Sequence, residues 1–288
     1  MRELNIREKV IIKKDLIPFE KYLNNNGLFY DKVKNKYKKI NFYVETRSEL
    51  GEGLGRIRNN SQTGEKKISI LDSLMNNEKE RAGTCYHEIG HALMGMASYD
   101  RKDLYDKVLK YIDIIKNTYP NELLEEKYTY FFGMQCLEEY LLERFSQEML
   151  FRCKGIEKNR KKKLICPGIC ADYTYESSLE TLYGIFETIG EELIIKTFGN
   201  IDTAIISGLK EEYFESFFKI FDGKEIMLIL GNLGKVYQSI MYYANNLINN
   251  YRYYPPKRVK CFLLETKELV NNIELQKQKK KQLNIIKK

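Results

Sequence analysis

The stretch NNEKERAGTCYHEIGHALMGMA, residues 76–97, decides the reading of the fold. It opens with asparagine in the N-cap position and acids in the first turn, which are the start signals of a helix. Upstream, KKINFYVET reads as a strand rich in β-branched and aromatic residues. GLGRIRNNSQTGEKKISILDS reads as two strands joined by a polar turn at Asn59–Gly64. IIKKDLIPFEKYLNNNG reads as a short helix ending at Gly27. Downstream of residue 77 the pattern is almost entirely helical, with helices near 101–117, 124–152, 176–197, 204–221, 224–250 and 257–280. Gly199, Gly223 and Pro255–Pro256 mark breaks between them. The expected fold class is α+β: a small N-terminal antiparallel or mixed sheet packed on the helix within residues 76–97, followed by a large helical C-terminal part.

The same helix carries the only two histidines of the chain, four residues apart: His87-Glu88-Ile89-Gly90-His91. Positions i and i+4 lie on one helix face a turn apart, so two imidazoles there can grip one Zn2+ ion. Glu88 can then reach a zinc-activated water as general base, taking its proton and passing it to a leaving amine. Two histidines and an intervening glutamate fall in this arrangement by chance on the order of once in a thousand sequences. Thr84, Cys85, Ala92 and Leu93 beside them are uncharged, as a helix buried behind a metal requires.

Thr84-Cys85-Tyr86-His87-Glu88-Ile89-Gly90-His91-Ala92-Leu93 resembles the extended motif of the zincin metallopeptidases. The resemblance covers about ten residues specifically and the rest of the chain only in element order. It implies an active-site helix packed on a small sheet whose edge strand aligns a peptide; KKISIL at 66–71 is the expected edge. It also implies a third protein ligand. With no third histidine the metzincin arrangement is excluded, and a carboxylate must serve, as in the gluzincins. In short-spaced gluzincins that glutamate follows soon after the second histidine. Residues 92–121 hold no glutamate here, so this chain departs from that pattern.

The next strong helix offers CLEEYLLERFS, residues 136–146. Its Glu139 and Glu143, a turn apart on a largely apolar stripe, are similar to the acid pair of the gluzincin ligand helix. There the first acid binds zinc and the second holds a ligand histidine from behind. The resemblance thus assigns Glu139 to zinc and Glu143 to the support of a histidine. Glu138 is the rival ligand, and a surface acidic cluster paired with Lys127 and Arg144 is the structural alternative. Tyr173 and Tyr175, in ADYTYESS before a helix, are the expected donors to the oxyanion.

The chain has 288 residues, 43% hydrophobic and 31% charged, enough for a substantial core. No run of ~18 apolar residues suggests a membrane span, and the charged N-terminus lacks the features of a signal peptide. The expected location is cytoplasmic. The six cysteines do not form a disulfide framework, and the lone pair Cys166 and Cys170 is a weak metal signal, so reduced thiols are expected. GEGLG at 51–55 precedes a strand rather than a helix, which makes it a turn and not a phosphate loop. The net charge of +8 gathers in residues 1–40, 153–163 and 277–282, without an aromatic-basic recognition motif for nucleic acid.

The organisation expected is residues 1–98 for the sheet and motif helix, 99–254 for a helical part carrying the third ligand, and 255–288 for a C-terminal helix and basic tail. The function expected is a zinc peptidase acting on a peptide or protein substrate. Two alternatives belong to other classes: a catalytically inactive zincin-fold interaction protein, and a basic, helical nucleic-acid-associated protein.

Overall fold

The β-branched stretches near the N-terminal end form a four-stranded mixed sheet of β1 (Arg2–Glu3), β2 (Ile40–Glu45), β3 (Gly55–Asn59) and β4 (Lys66–Leu71). The structure, a computed structural model, describes residues 1–51, 53–60, 62–95, 106, 109–110, 112–114, 117, 127–157, 189–220, 223–245 and 254–286. The fold is α+β, as the sequence indicates.

Strand order is β1-β2-β4-β3, with β2 and β4 parallel and the outer pairs antiparallel. The polar turn between β3 and β4 closes by Asn60 N–H to the Glu65 carbonyl at 2.8 Å. It needs Gly64 at φ 68°, a left-handed conformation that glycine adopts without strain. One expectation is corrected: β4 is not an edge. Ile68, Ser69, Ile70 and Leu71 are all buried, so both faces of this strand are covered and it pairs on both sides. A continuous apolar run is the signature of an interior strand. Among the described residues, the edge on that side is β3.

Helix α1 (Ile6–Asn25) starts five residues before the expected span. The reason is local: Asn5 and Glu8 form a capping box, each side chain accepting the other's backbone N–H at 2.9 Å. Short helices α2 (Asp31–Tyr37) and α3 (Arg47–Leu50) follow, the second capped by Thr46 and Glu49. Helix α4 (Glu78–Leu93) is the histidine helix, with Asn77 accepting from Glu80 N–H at 3.2 Å as expected of its cap. Beyond it lie α5 (Lys127–Lys154), α6 (Ile201–Leu209), α7 (Tyr213–Ile220), α8 (Gly223–Asn245) and α9 (Pro256–Ile286). The single helix expected over 204–221 is divided at Glu211, which sits at φ 63°. No described helix is long and apolar enough to cross a membrane.

By internal contacts the chain forms two units. One takes in Met1–Asp103, Glu138–Ala171 and Asp202–Tyr213, and the other Leu104–Leu137, Asp172–Ile201 and Phe214–Lys288. In the first, α4 packs on β3 and β4. Phe19 of α1 stacks on Tyr86 of α4 at 5.3 Å and meets Phe145 of α5 edge-on at 6.1 Å. Buried Asp15 accepts from Arg81 Nε at 2.8 Å and from Lys154, tying α1, α4 and α5 together. In the second unit α8 packs along α9. The first turns of α5 meet α8 backbone to backbone, where Gly133 lies against the Leu230 carbonyl and Gly234 against that of Thr129.

Candidate metal centre

Two glycines on α4 let α5 approach closely enough to bring its acids to the histidines. A β-carbon on Gly90 would meet Leu142 Cδ2 at 2.8 Å and Phe145 Cδ1 at 2.9 Å. One on Gly83 would meet Leu150 Cδ1 at 3.1 Å, and Ser146 Oγ donates to the Gly83 carbonyl at 2.7 Å. Any larger residue would push the helices apart.

In this seam the two imidazoles and three carboxylates interlock. His87 Nε2 lies 3.4 Å and His91 Nε2 3.6 Å from the same atom, Glu139 Oε2. One ligand atom from each of the three residues falls within 4.8 Å of the others, a grouping that can hold one metal ion. Tetrahedral zinc with bonds of about 2.0–2.1 Å separates its donors by about 3.3 Å, so the two measured separations suit such an ion.

The remaining ring nitrogens also face carboxylates: His87 Nδ1 is 3.6 Å from Glu143 Oε2, and His91 Nδ1 is 3.9 Å from Glu138 Oε1. Each histidine is therefore addressed by one acid at Nε2 and another at Nδ1. A carboxylate hydrogen-bonded to the outer nitrogen fixes the tautomer and ring orientation of a metal ligand, and Glu143 stands nearer to that role than Glu138. Glu138, the rival ligand in the sequence, stands behind His91 and outside the three-donor group.

The electrostatics follow from burial and opposite charge. Burial alone would lower the His87 pKa, but Glu139 and Glu143 outweigh it and push it up to about 10. His91 is raised in the same way, its burial overcome by Glu139. Burial opposes ionisation of Glu139, yet the two imidazoles hold its carboxyl far below the usual range. The site thus carries an anionic carboxylate between two nitrogens that attract protons, the conditions under which a cation competes for the same place.

Glu88 projects toward β3. Its Cγ and Oε1 lie 3.0 Å from where a β-carbon on Gly55 would stand, so the edge strand passes directly over it. Burial raises the Glu88 pKa against the pull of both histidines. Among the described residues, no strand pairs with the outer side of β3. Asn60 N–H and the Leu54 carbonyl bond toward β4, so by alternation the groups of Gly55, Ile57 and Asn59 point away from the sheet.

The structure thus brings together His87, Glu88, His91, Glu138, Glu139 and Glu143. Tyr173, Tyr175, Cys166 and Cys170 lie outside the described residues. Sequence reasoning missed Gly55, whose only signal was its place at the end of a glycine-rich turn. Comparison with protein-family models, with curated proteins and with solved structures finds no match for this chain.

Proposed function

We propose that the chain is a zinc-dependent peptidase of gluzincin type, hydrolysing peptide bonds in a peptide or protein. The observation that supports this most is the convergence of His87 Nε2, His91 Nε2 and Glu139 Oε2 beside Glu88, under the last strand of the described sheet. His87, His91 and Glu139 would hold the ion, with Glu143 and Glu138 orienting the two imidazoles. When bound, zinc polarises the scissile carbonyl and makes water acidic enough to attack near neutral pH.

The chain's own groups supply the rest. The outward backbone groups of Gly55, Ile57 and Asn59 bind a substrate strand by added sheet hydrogen bonds. Glu88 accepts the proton of the attacking water and delivers it to the leaving amine; its raised pKa suits both tasks. Cys85, Cys136, Cys153 and Cys261 are free thiols, which suits the cytoplasmic location we assign.

The test is paired. Metal analysis of protein grown with zinc should give one zinc per chain. Glu88→Gln should keep that zinc while losing cleavage of a peptide library. A zinc-free protein, or an equally active Glu88→Gln variant, would remove the reading.

A further inference from the structure

Arg56 is next to the glycine that touches Glu88, yet it faces the other side of the sheet. Gly55 and Ile57 share the α4 side, so alternation puts Arg56 and Arg58 on the opposite one. There the two arginines differ. Arg58 donates to buried Glu45, which also accepts from Ser69 Oγ at 2.9 Å. Arg56 donates only to a neutral acceptor, the Leu50 carbonyl, at 2.5 Å, and no carboxylate among the described residues pairs with it. Opposite Arg56 on β4 stands the neutral Ser69, and Lys67, opposite Arg58 on the same face, meets Glu65 no closer than 3.9 Å. Among the described residues, the β3 edge therefore carries an arginine with no ion-paired carboxylate, beside backbone groups that point outward.

We propose that Arg56 sets the specificity of the β3 edge, selecting an extended peptide with a carboxylate side chain at the residue opposite Arg56. This rests on the peptidase reading for its chemistry, but strand binding itself needs only the edge. A strand bonded to Gly55 and Ile57 turns alternate side chains to the two faces. Those on the α4 side approach Glu88, and those on the other approach Arg56 and, about 7 Å further along, Arg58. A Glu or Asp there meets a cation, a Lys meets like charge, and an amide gains little.

The experiment uses full-length Glu88→Gln protein, which keeps the edge and cleaves nothing. Three fluorescent decapeptides, identical except for Glu, Gln or Lys at two alternate positions, are titrated by anisotropy. The Glu peptide should bind about fivefold tighter than the Gln peptide and tighter still than the Lys peptide. The ranking should narrow as salt is raised. Adding Arg56→Lys should preserve the ranking, Arg56→Gln should erase it, and Arg56→Glu should invert it. Circular dichroism checks folding, and the Lys and Gln variants carry the test if the Glu variant is unstable. Equal affinity for the three peptides, no binding of the Glu peptide, or a ranking unchanged by Arg56→Gln overturns the proposal. Cleavage by the unmodified protein separates the two readings. Cleavage of all three peptides alike leaves the peptidase standing without this specificity. Charge-ranked binding without cleavage leaves the specificity standing without the peptidase.

Discussion

Gly55 and Glu88 are in direct contact across the seam between the edge strand and the histidine helix: a β-carbon at Gly55 would stand 3.0 Å from Glu88 Cγ and 2.5 Å from Thr84 Cγ2. The strand can pass this close only because position 55 has no side chain. Gly55→Ala must therefore move the strand or swing Glu88 out of place. The expected result is a stability loss of about 1–3 kcal/mol. Cleavage should fall further than this loss explains, with metal content retained. Chemical denaturation, metal analysis and peptide assays measure the three quantities.

The proposed metal ligands and the acids behind them should separate in a binding series. His87→Ala, His91→Ala and Glu139→Ala each remove a donor and should abolish stoichiometric zinc. Glu143→Gln and Glu138→Gln remove only a partner at Nδ1, and each should weaken zinc by about 10–100-fold. Competition with a chromophoric chelator gives the affinities. If Glu138→Gln proves as damaging as Glu139→Ala, Glu138 is a ligand after all.

Zinc uptake should expel protons. With its pKa raised to about 10, His87 is protonated at pH 7 in the metal-free protein, and the shift of His91 is in the same direction. Ligand histidines must be neutral, so binding at pH 7 should release about one proton or more. Calorimetry in buffers of different ionisation heat reads this number, and affinity should fall as pH is lowered.

The same shifts give the metal-free protein a pH dependence of its own. A histidine raised from 6.5 contributes stability that is complete below 6.5 and lost as pH climbs through about 10. A carboxylate lowered from 4.5 contributes stability that is present above 4.5 and lost in stronger acid. The cluster therefore favours the fold most between pH 4.5 and 6.5. Metal-stripped protein should melt lower at pH 9 than at pH 6, and saturating zinc should remove that difference.

Asp15 is fully buried with Arg81 and Lys154 around it. Asp15→Asn leaves two cations at the joint of α1, α4 and α5 without their shared carboxylate, at a cost of about 3–5 kcal/mol. In the other unit Gly234→Ala would place a β-carbon 1.8 Å from the Thr129 carbonyl oxygen, which no side-chain movement relieves. Both variants should lower the denaturation midpoint strongly, and neither effect should depend on added zinc.

The acids of α5 show where sequence reading stops. Glu138, Glu139 and Glu143 all lie on one helix, and the spacing marks them as candidates without ranking them. Their roles depend on how α5 is rotated and advanced along α4, which Gly83 and Gly90 settle through contacts with residues some sixty positions away. The sheet teaches the same lesson. The β3–β4 hairpin was legible because a polar turn joins its strands. That β2 pairs with β4 in parallel was not, because nothing local records it, and this pairing is what moves the edge from β4 to β3.

The sequence by itself determined the α+β class, an asparagine cap before the motif helix and the shared face of His87 and His91, because helical periodicity and capping act within a few residues. Only the tertiary structure decided that Glu139 meets both Nε2 atoms, that Glu138 and Glu143 stand behind, and that Gly55 opens the strand edge over Glu88. Those relations are set by close packing between segments far apart in the chain, where a single β-carbon is enough to change the distance.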